Sequence, residues 1–315
     1  KKAAHLVGAP PSDTRPSATG CASTRRANMA VMWRVILAQA SLFVLIAGMA
    51  GTTDLKRTTS QLRNTRGICT GMACQFILLP LLGFSSASLF DLDHVFTTML
   101  ILTTTSPGGG FSGFWCSICN ADLALSIAMT SISTVASIVM LPLNAFIYIS
   151  LLYGTEIHID YRGIIVSIVV VVGAIVTGVF LGTTFAGHKV AFNRAGSVGG
   201  ITNITLAVFS AFVPAEASSD ASSMDSSSYG SFQALDVWWY CAVALPCVVG
   251  LLAALCISLA VRCPAPEAVA ICIECCFQNT GLAVSIAHTI FQGQSLRRAN
   301  LVPLFYGIVE IATLS

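Results

Sequence analysis

Long apolar segments, separated by short polar ones, run through most of this sequence. A helix needs about 20 apolar residues to cross the hydrocarbon core of a bilayer, and nine segments approach or exceed that length. The predicted spans are 31–51, 67–89, 93–118, 121–151, 162–187, 195–214, 235–261, 266–291 and 301–315. The pattern therefore predicts an all-α polytopic membrane protein with nine transmembrane helices.

The two ends of the sequence lead to two separate predictions. Residues 1–30 are rich in Ser, Thr, Pro and Arg, so we expect either a transit-like or disordered segment or a plain polar tail before the first span. Residues 31–315 form the predicted transmembrane domain. The ninth span is cut short by the end of the sequence, which predicts a fragment or a processed form.

Composition agrees with a membrane protein and excludes several other classes. Hydrophobic residues make up 55% of the 315 residues and charged residues only 10%, against about 25% charged in ordinary soluble domains. The mean hydropathy is +0.80. The net charge is +2 and the sequence contains no basic tract, so no nucleic-acid partner is expected. Because the sequence has no nucleotide-binding loop, catalytic triad or metalloprotease motif, we predict that it is not an enzyme.

Cysteine is frequent in this chain, and its distribution argues against a thiolate metal site. Most of the twelve cysteines lie in apolar segments, where free Cys behaves as a small hydrophobic residue. Two C-x-x-C pairs occur, Cys116/Cys119 and Cys272/Cys275. They lie far apart in the sequence, and deprotonated thiols are costly in lipid. We therefore predict no zinc site.

The third span contains a sequence that breaks a helix. It is apolar up to Leu102 and then reads TTTSPGGG over residues 103–110. Pro removes a backbone donor and clashes with the preceding turn, and Gly lowers helix stability. The helix is therefore predicted to break near Pro107–Gly110. Within a bilayer such a break is tolerated only where protein or a water-lined cavity satisfies the freed backbone groups.

The eighth span contains three polar side chains within six residues, Glu274, Gln278 and Asn279. An acidic residue in the middle of a membrane helix costs about 2.5–3.5 kcal/mol on insertion scales and usually marks an ion or substrate path. The alternative is an interhelical hydrogen bond that only holds the bundle together. Residues 274 and 278 are one turn apart and share a helix face, which favours a site.

The interrupted spans are the third and the eighth, five spans apart. Discontinuous helices in corresponding positions indicate a transporter built from inverted repeats. A carboxylate, amide oxygens, hydroxyls and freed carbonyls are hard ligands that suit a hard cation, and a lone carboxylate fits a monovalent one better. The amino termini of half-helices favour an anionic group. The residues alone therefore predict cation-coupled uptake of an organic anion.

Four motifs resemble those of the bile acid:sodium symporter family. They are MACQFILLPLL (72–82), PGGGFS (107–112), NADLALSIAMTSISTVASIVMLPL (120–143) and ECCFQNTGLAVSIA (274–287). Their order and spacing agree with the family over most of residues 45–315. The resemblance implies a core domain and a panel domain, with nine helices where the first of ten is absent, and two broken helices that cross.

The resemblance also implies two sodium sites at that crossing, with sodium as the coupling ion and no other metal or organic cofactor. The first site would use Ser112, Ser126, Thr130 and Glu274. The second would use Gln75, Glu274 and Gln278, together with the carbonyls of Cys275 and Phe277. Glu274 would serve both sites, with its charge offsetting the cations.

The sequence departs from the family pattern in three places. Gly113 replaces the family asparagine after the serine, which removes one side-chain oxygen from the first site. Cys276 replaces a glycine, and Gly110 replaces a common threonine, where the backbone passes closely or faces substrate. Among candidate substrate contacts we include Gly110 and Asn279, the latter with helix capping as its alternative role. Glu310 is a third candidate, near a polar position of some relatives.

The resulting prediction is a secondary active transporter that imports an organic anion with sodium by alternating access. Bile acid-like compounds, steroid sulfates and small carboxylates all lie within the family's range. One alternative is a proton-coupled or single-sodium carrier with the same fold, and another is a membrane receptor or scaffold that does not transport. The plasma membrane is the expected location, with a plastid or other organelle envelope as the alternative.

Overall fold

The structure is a computed structural model that describes residues 18–52, 59–61, 63–109, 111–153, 161–212 and 235–315. The predicted polar tail lies outside these residues as far as residue 17. The described residues form helices, together with one isolated antiparallel bridge between Gly108 and Gln278. In chain order the helices are α1 (Ala18–Thr52), α2 (Thr65–Leu89), α3 (His94–Thr104), α4 (Ser112–Ile118), α5 (Leu123–Tyr153), α6 (Tyr161–Thr184), α7 (Lys189–Phe212), α8 (Val237–Ala260), α9 (Ala265–Cys276), α10 (Thr280–Ile290) and α11 (Gly293–Leu314).

The all-α membrane fold is confirmed, but the count of nine transmembrane helices is not. Among the described residues six helices are long and apolar enough to cross a membrane: α1 from Val31 onward, α2, α5, α6, α7 with the short turn before it, and α8. These six correspond to the first, second and fourth to seventh predicted spans. The ninth predicted span is occupied by α11, which begins at Gly293, well before the predicted residue 301.

Both predicted breaks are present. The third span divides into α3 and α4, with Pro107 and the glycines between them. The eighth span divides into α9 and α10, and the backbone turns extended at Phe277. Each half-helix is shorter than a bilayer is thick, so the four ends meet inside the protein.

The helices α1, α6 and α7 pack against one another with very close backbones. A Cβ atom on Gly48 of α1 would overlap the backbone of Gly196 on α7, and one on Gly199 would overlap Ser41 and Leu45 of α1. On the other side of α1, Gly178 of α6 leaves no room for a side chain beside Ala47. Small residues at helix interfaces permit this close approach in membrane proteins.

A second set of helices, α2 to α5 and α8 to α11, holds the two broken helices. A buried cluster that extends to α1, α6 and α7 includes Met99 and Leu100 of α3, Leu282 of α10 and Tyr306 of α11. Outside this cluster, Arg298 of α11 lies 2.6 Å from Asp93, the residue that caps α3. Of the half-helices, α3 is buried from Val95 to Thr104, whereas α4 keeps Phe114 and Ile118 exposed.

Candidate functional site

The two helix breaks cross and satisfy each other's backbone groups. The N–H of Gly109 donates to the carbonyl of Phe277 at 2.7 Å, and the N–H of Asn279 donates to the carbonyl of Pro107 at 2.9 Å. These bonds form the antiparallel bridge between Gly108 and Gln278. The backbone groups freed by Pro107 and by the turn at Phe277 therefore find partners without water.

Glu274 lies at this crossing and accepts three hydroxyl hydrogen bonds. Its side chain is only 1% exposed. Ser112 Oγ donates to Oε1 at 2.6 Å, Ser126 Oγ donates to the same oxygen, and Thr130 Oγ1 lies 2.9 Å from Oε2. In the described part of the chain no Lys or Arg forms an ion pair with this carboxylate. Helices α4, α5 and α9 thus bring a carboxylate and three hydroxyl oxygens together in a buried, polar cluster.

Two of the glycines in the first break are required because a side chain would not fit at their positions. A Cβ atom on Gly108 would collide with Oε2 of Glu274. A Cβ atom on Gly109 would lie 2.6 Å from the carbonyl oxygen of Gln278, which is closer than such contacts allow. The first break can therefore approach the second only because these positions carry no side chain.

A second polar cluster surrounds Gln278 on the other side of the crossing. Gln75 Nε2 donates to Gln278 Oε1 at 2.7 Å and to the carbonyl of Ser106 at 2.6 Å. Gln278 Nε2 donates to the carbonyl of Cys275 at 2.8 Å. All of these side chains are buried. Two carboxamides and two backbone carbonyls therefore converge beside the site of Glu274.

Gln75 reaches this cluster from a π-helical segment, Cys74–Leu78, inside α2. Pro80 follows this segment and has no N–H with which to bond the carbonyl of Phe76. Asn144 of α5 supplies the missing donor, with Nδ2 at 3.2 Å from that carbonyl. Single π-helical turns inside α-helices often occur at functional sites.

A cavity of about 520 Å³ opens beside the crossing, between α1, α6 and α7 on one side and α4 and α5 on the other. Its wall includes the predicted ion ligands Ser112, Ser126 and Thr130 as well as Asn279. Across the cavity lie Asn193 and Ser197 of α7. The volume falls within the range of small-molecule sites.

The structure brings most of the predicted site residues together. Ser112, Ser126, Thr130 and Glu274 form the first cluster, while Gln75, Gln278 and the carbonyl of Cys275 form the second. The carbonyl of Phe277 accepts the N–H of Gly109 within the crossing. Whether any of these groups binds sodium stays a prediction.

The predicted substrate contacts have different surroundings. Asn279 lines the cavity and also caps α10, because its side chain accepts the N–H of Leu282 at 2.9 Å. Both roles that the sequence left open are therefore compatible with its position. Gly110 lies outside the described residues. Glu310 is buried away from the lining of the cavity and accepts the N–H of Gln278 at 2.7 Å.

Three residues of the site were not predicted from the sequence. Asn144 supports the π-helical segment, Ser106 contributes its carbonyl to Gln75, and Ser133 Oγ accepts the N–H of Gly108 at 3.3 Å. A signal for Asn144 was present, since Pro80 leaves the carbonyl four residues earlier without a donor. Which side chain would supply that donor depends on how α2 and α5 pack.

The fold and site define an integral membrane protein with several membrane-crossing helices and a polar crossing of broken helices. A model of the Sodium Bile acid symporter family matches residues 40–217, which is more than half of the chain. The chain therefore belongs to that family. The match includes Gln75, Ser112, Ser126 and Thr130 and ends before α9.

Individual relatives are similar to this chain at modest identity. The hepatic sodium/bile acid cotransporter of Rattus norvegicus is 25% identical over 179 residues, 56% of this chain and 48% of the relative. The ileal sodium/bile acid cotransporter of Homo sapiens is 28% identical over 166 residues, 52% of this chain and 48% of the relative. Sodium/bile acid cotransporter 4 of Homo sapiens is 36% identical over 109 residues, 35% of this chain and 25% of the relative. The alignments cover about half or less of these relatives.

Proposed function

We propose that this protein is a secondary active transporter that couples sodium entry to import of an organic anion. The observation that carries the proposal is the buried carboxylate of Glu274, held by hydroxyls from two other helices at a crossing of broken helices beside a cavity. A lone carboxylate surrounded by hydroxyl oxygens suits a monovalent hard cation. Membership of the sodium bile acid symporter family supports the same coupling ion.

The first ion site in this proposal consists of Glu274, Ser112, Ser126 and Thr130. The hydroxyls now donate to the carboxylate, and each also has lone pairs that can turn toward a cation. A sodium ion would offset the charge of Glu274, which has no cationic partner among the described residues. Occupancy would therefore stabilise the crossing.

The second ion site in this proposal consists of Gln75, Gln278 and the carbonyls of Cys275 and Phe277, with Glu274 nearby. The Gln75 amide presents its nitrogen to Gln278 Oε1. Sodium binding would require rotation of one amide so that both oxygens face the ion. The two carboxamides would then exchange a mutual hydrogen bond for ion contacts.

The substrate in this proposal occupies the cavity, with Asn279 as a polar contact. No Lys or Arg of the described residues lines this cavity, so sodium at the neighbouring sites and the amino terminus of α10 would balance an anionic group. An amphipathic anion such as a bile acid-like compound or a steroid sulfate fits the largely apolar wall, and a small carboxylate would fill it only in part. Alternating access would move α1, α6 and α7, as the panel, against the other helices, as the core.

The test is thermal stability of the purified protein against sodium concentration, with potassium as the control ion. A ligand that binds only the folded state raises the apparent melting temperature by mass action. We expect a sodium-specific rise that Gln278→Ala weakens, followed by sodium-dependent uptake of a labelled organic anion into proteoliposomes. A rise without uptake of any anion would favour a receptor or scaffold, and no rise in wild type would contradict sodium coupling.

A second candidate function is a carrier of the same fold that uses a single sodium ion or a proton. Gly113 favours it, because this residue lines the cavity next to Ser112 and contributes no side-chain oxygen. A Cβ atom there would meet only Leu123, at 3.5 Å, so space for a polar side chain exists. Gly113→Asn would then raise the Hill coefficient for sodium from about one, whereas uptake that depends on pH and not on sodium would favour the proton.

A further inference from the structure

Glu310 of α11 is one of two acidic residues that are buried among the described residues, the other being Glu274. It belongs neither to the carboxylate–hydroxyl cluster nor to the wall of the cavity. Its Oε1 accepts the backbone N–H of Gln278 at 2.7 Å. This contact joins the last described helix to the second break.

The hydrogen bond has a specific cause in the backbone. In a continuous helix the N–H of Gln278 would bond the carbonyl of Glu274, four residues earlier. The extended conformation at Phe277, with ψ of 99°, removes that partner. The preceding N–H, of Phe277, still bonds Ile273 within α9, and the following one, of Asn279, bonds Pro107 across the crossing. Gln278 is therefore the residue of the break whose N–H depends on a side chain.

The same residue carries the side chain that meets Gln75. Its backbone is fixed by Glu310, and its carboxamide extends to Gln75 and to the carbonyl of Cys275. A displaced backbone at Gln278 would therefore move its carboxamide away from both partners. An unsatisfied buried N–H is also costly, so without Glu310 the break would adopt another geometry.

We propose that Glu310 is a positioning residue for the second ion site, where its carboxyl oxygen caps the broken helix and holds Gln278 in place. This inference rests on the proposed sodium coupling. It gives Glu310 a role in ion binding through Gln278, without contact to the ion or the substrate. The feature that matters is an acceptor oxygen at this position, and a carboxamide oxygen would serve equally.

Two variants separate the acceptor from the charge. Glu310→Gln keeps an acceptor oxygen and removes the charge, whereas Glu310→Leu removes both. Thr313→Val is the control, since Thr313 is on the same helix and its hydroxyl bonds only its own helix, at the carbonyl of Val309. The measured quantity is the half-saturating sodium concentration, at which the melting temperature has risen by half of its full increase. We expect Glu310→Leu to raise this concentration about tenfold. For Glu310→Gln and Thr313→Val it should stay within about threefold of the wild-type value.

A double variant tests whether the effect runs through Gln278. If it does, Glu310→Leu combined with Gln278→Ala binds sodium no more weakly than Gln278→Ala alone. If the losses of sodium affinity in the two single variants add fully in the double variant, the proposal is overturned. A Glu310→Gln variant that binds sodium as weakly as Glu310→Leu would also overturn it, because the charge would then be the essential feature.

Hydrogen–deuterium exchange distinguishes failure of this inference from failure of sodium coupling. It is measured without sodium on peptides that include Gln278. Glu310→Leu should speed exchange at this amide about tenfold, with Glu310→Gln and the control unchanged. If the Gln278 amide exchanges as slowly in Glu310→Leu as in wild type, the positioning role is overturned whether or not the protein binds sodium. Faster exchange in a protein that shows no sodium response would leave Glu310 as the cap and reject only the coupling ion.

Discussion

Glu274 is stabilised in the protein interior by hydroxyl donors from three residues on two helices, and by no cationic side chain of the described residues. Neutral donors leave the carboxylate with a net charge that a mobile cation can offset. A Lys or Arg in the same place would occupy the site permanently. The residue is therefore suited to reversible cation binding.

The first prediction concerns that charge. Glu274→Gln should abolish the sodium-dependent rise in melting temperature and lower sodium-dependent uptake at least tenfold, because a carboxamide offers no charge to the ion. Glu267→Gln is the control, since Glu267 lies in the first turn of the same helix and is partly exposed. A Glu274→Gln variant with wild-type sodium affinity would contradict the assignment.

The second prediction concerns the closeness of the two breaks. Gly108→Ala places a methyl group against Oε2 of Glu274 and should lower the apparent melting temperature and weaken sodium binding together. Overpacking of this kind costs about 1–3 kcal/mol. Gly187→Ala is the control, because no atom lies within 4 Å of its added Cβ. Equal behaviour of the two variants in a melting assay would reject a steric role for Gly108.

At the scale of elements, the break in the third span was predicted because Pro and Gly act locally on the backbone. The break in the eighth span was indicated by its polar side chains and by the family resemblance, since no Pro or Gly lies at Phe277. The π-helical segment in α2 was not predicted, since Pro80 alone is compatible with an ordinary kink. The start of α11 was also missed. Its first turns contain Gly293, Arg297 and Arg298, and a search for apolar residues cannot detect a polar helix start.

The third prediction concerns the π-helical segment. Asn144→Leu leaves the carbonyl of Phe76 without its side-chain donor, so α2 should relax and Gln75 should shift. We expect a lower melting temperature and a severalfold higher half-saturating sodium concentration. Ser137→Ala is the control on the same helix, since its hydroxyl bonds only the carbonyl of Thr134. If sodium titration gives the same curve for both variants, the segment does not position Gln75.

At the scale of the whole molecule, the chain divides into the closely packed α1, α6 and α7 and the helices that hold the crossing. The cavity lies between these two sets. Sequence motifs indicated the family and most residues of the candidate site, because the motifs themselves contain Gln75, Ser112, Ser126, Thr130, Glu274 and Gln278. The cap by Glu310 and the support by Asn144 depend on contacts between distant helices, which no local pattern encodes.

The fourth prediction concerns the packing of the three helices. Gly48→Ala introduces a methyl group where Gly196 of α7 already lies, and it should lower the apparent melting temperature by several degrees. Gly173→Ala is the matched control within the same three helices, since its nearest neighbour is Phe43 at 4.0 Å. It should be neutral or slightly stabilising, because Ala favours a helix over Gly. A stable Gly48→Ala variant would show that α1 and α7 can separate freely.

The carboxylate–hydroxyl cluster also has a consequence for how the chain enters the bilayer. Its three hydroxyls lie on helices that are synthesised before α9, and Glu274 follows more than 140 residues after Thr130. Until then Thr130 can bond the carbonyl of Ser126 on its own helix, so its hydroxyl donor has a partner in lipid. Insertion of α9 alone carries the penalty of a buried acid. Partners already in the membrane lower that penalty, so the three hydroxyls also help α9 to insert.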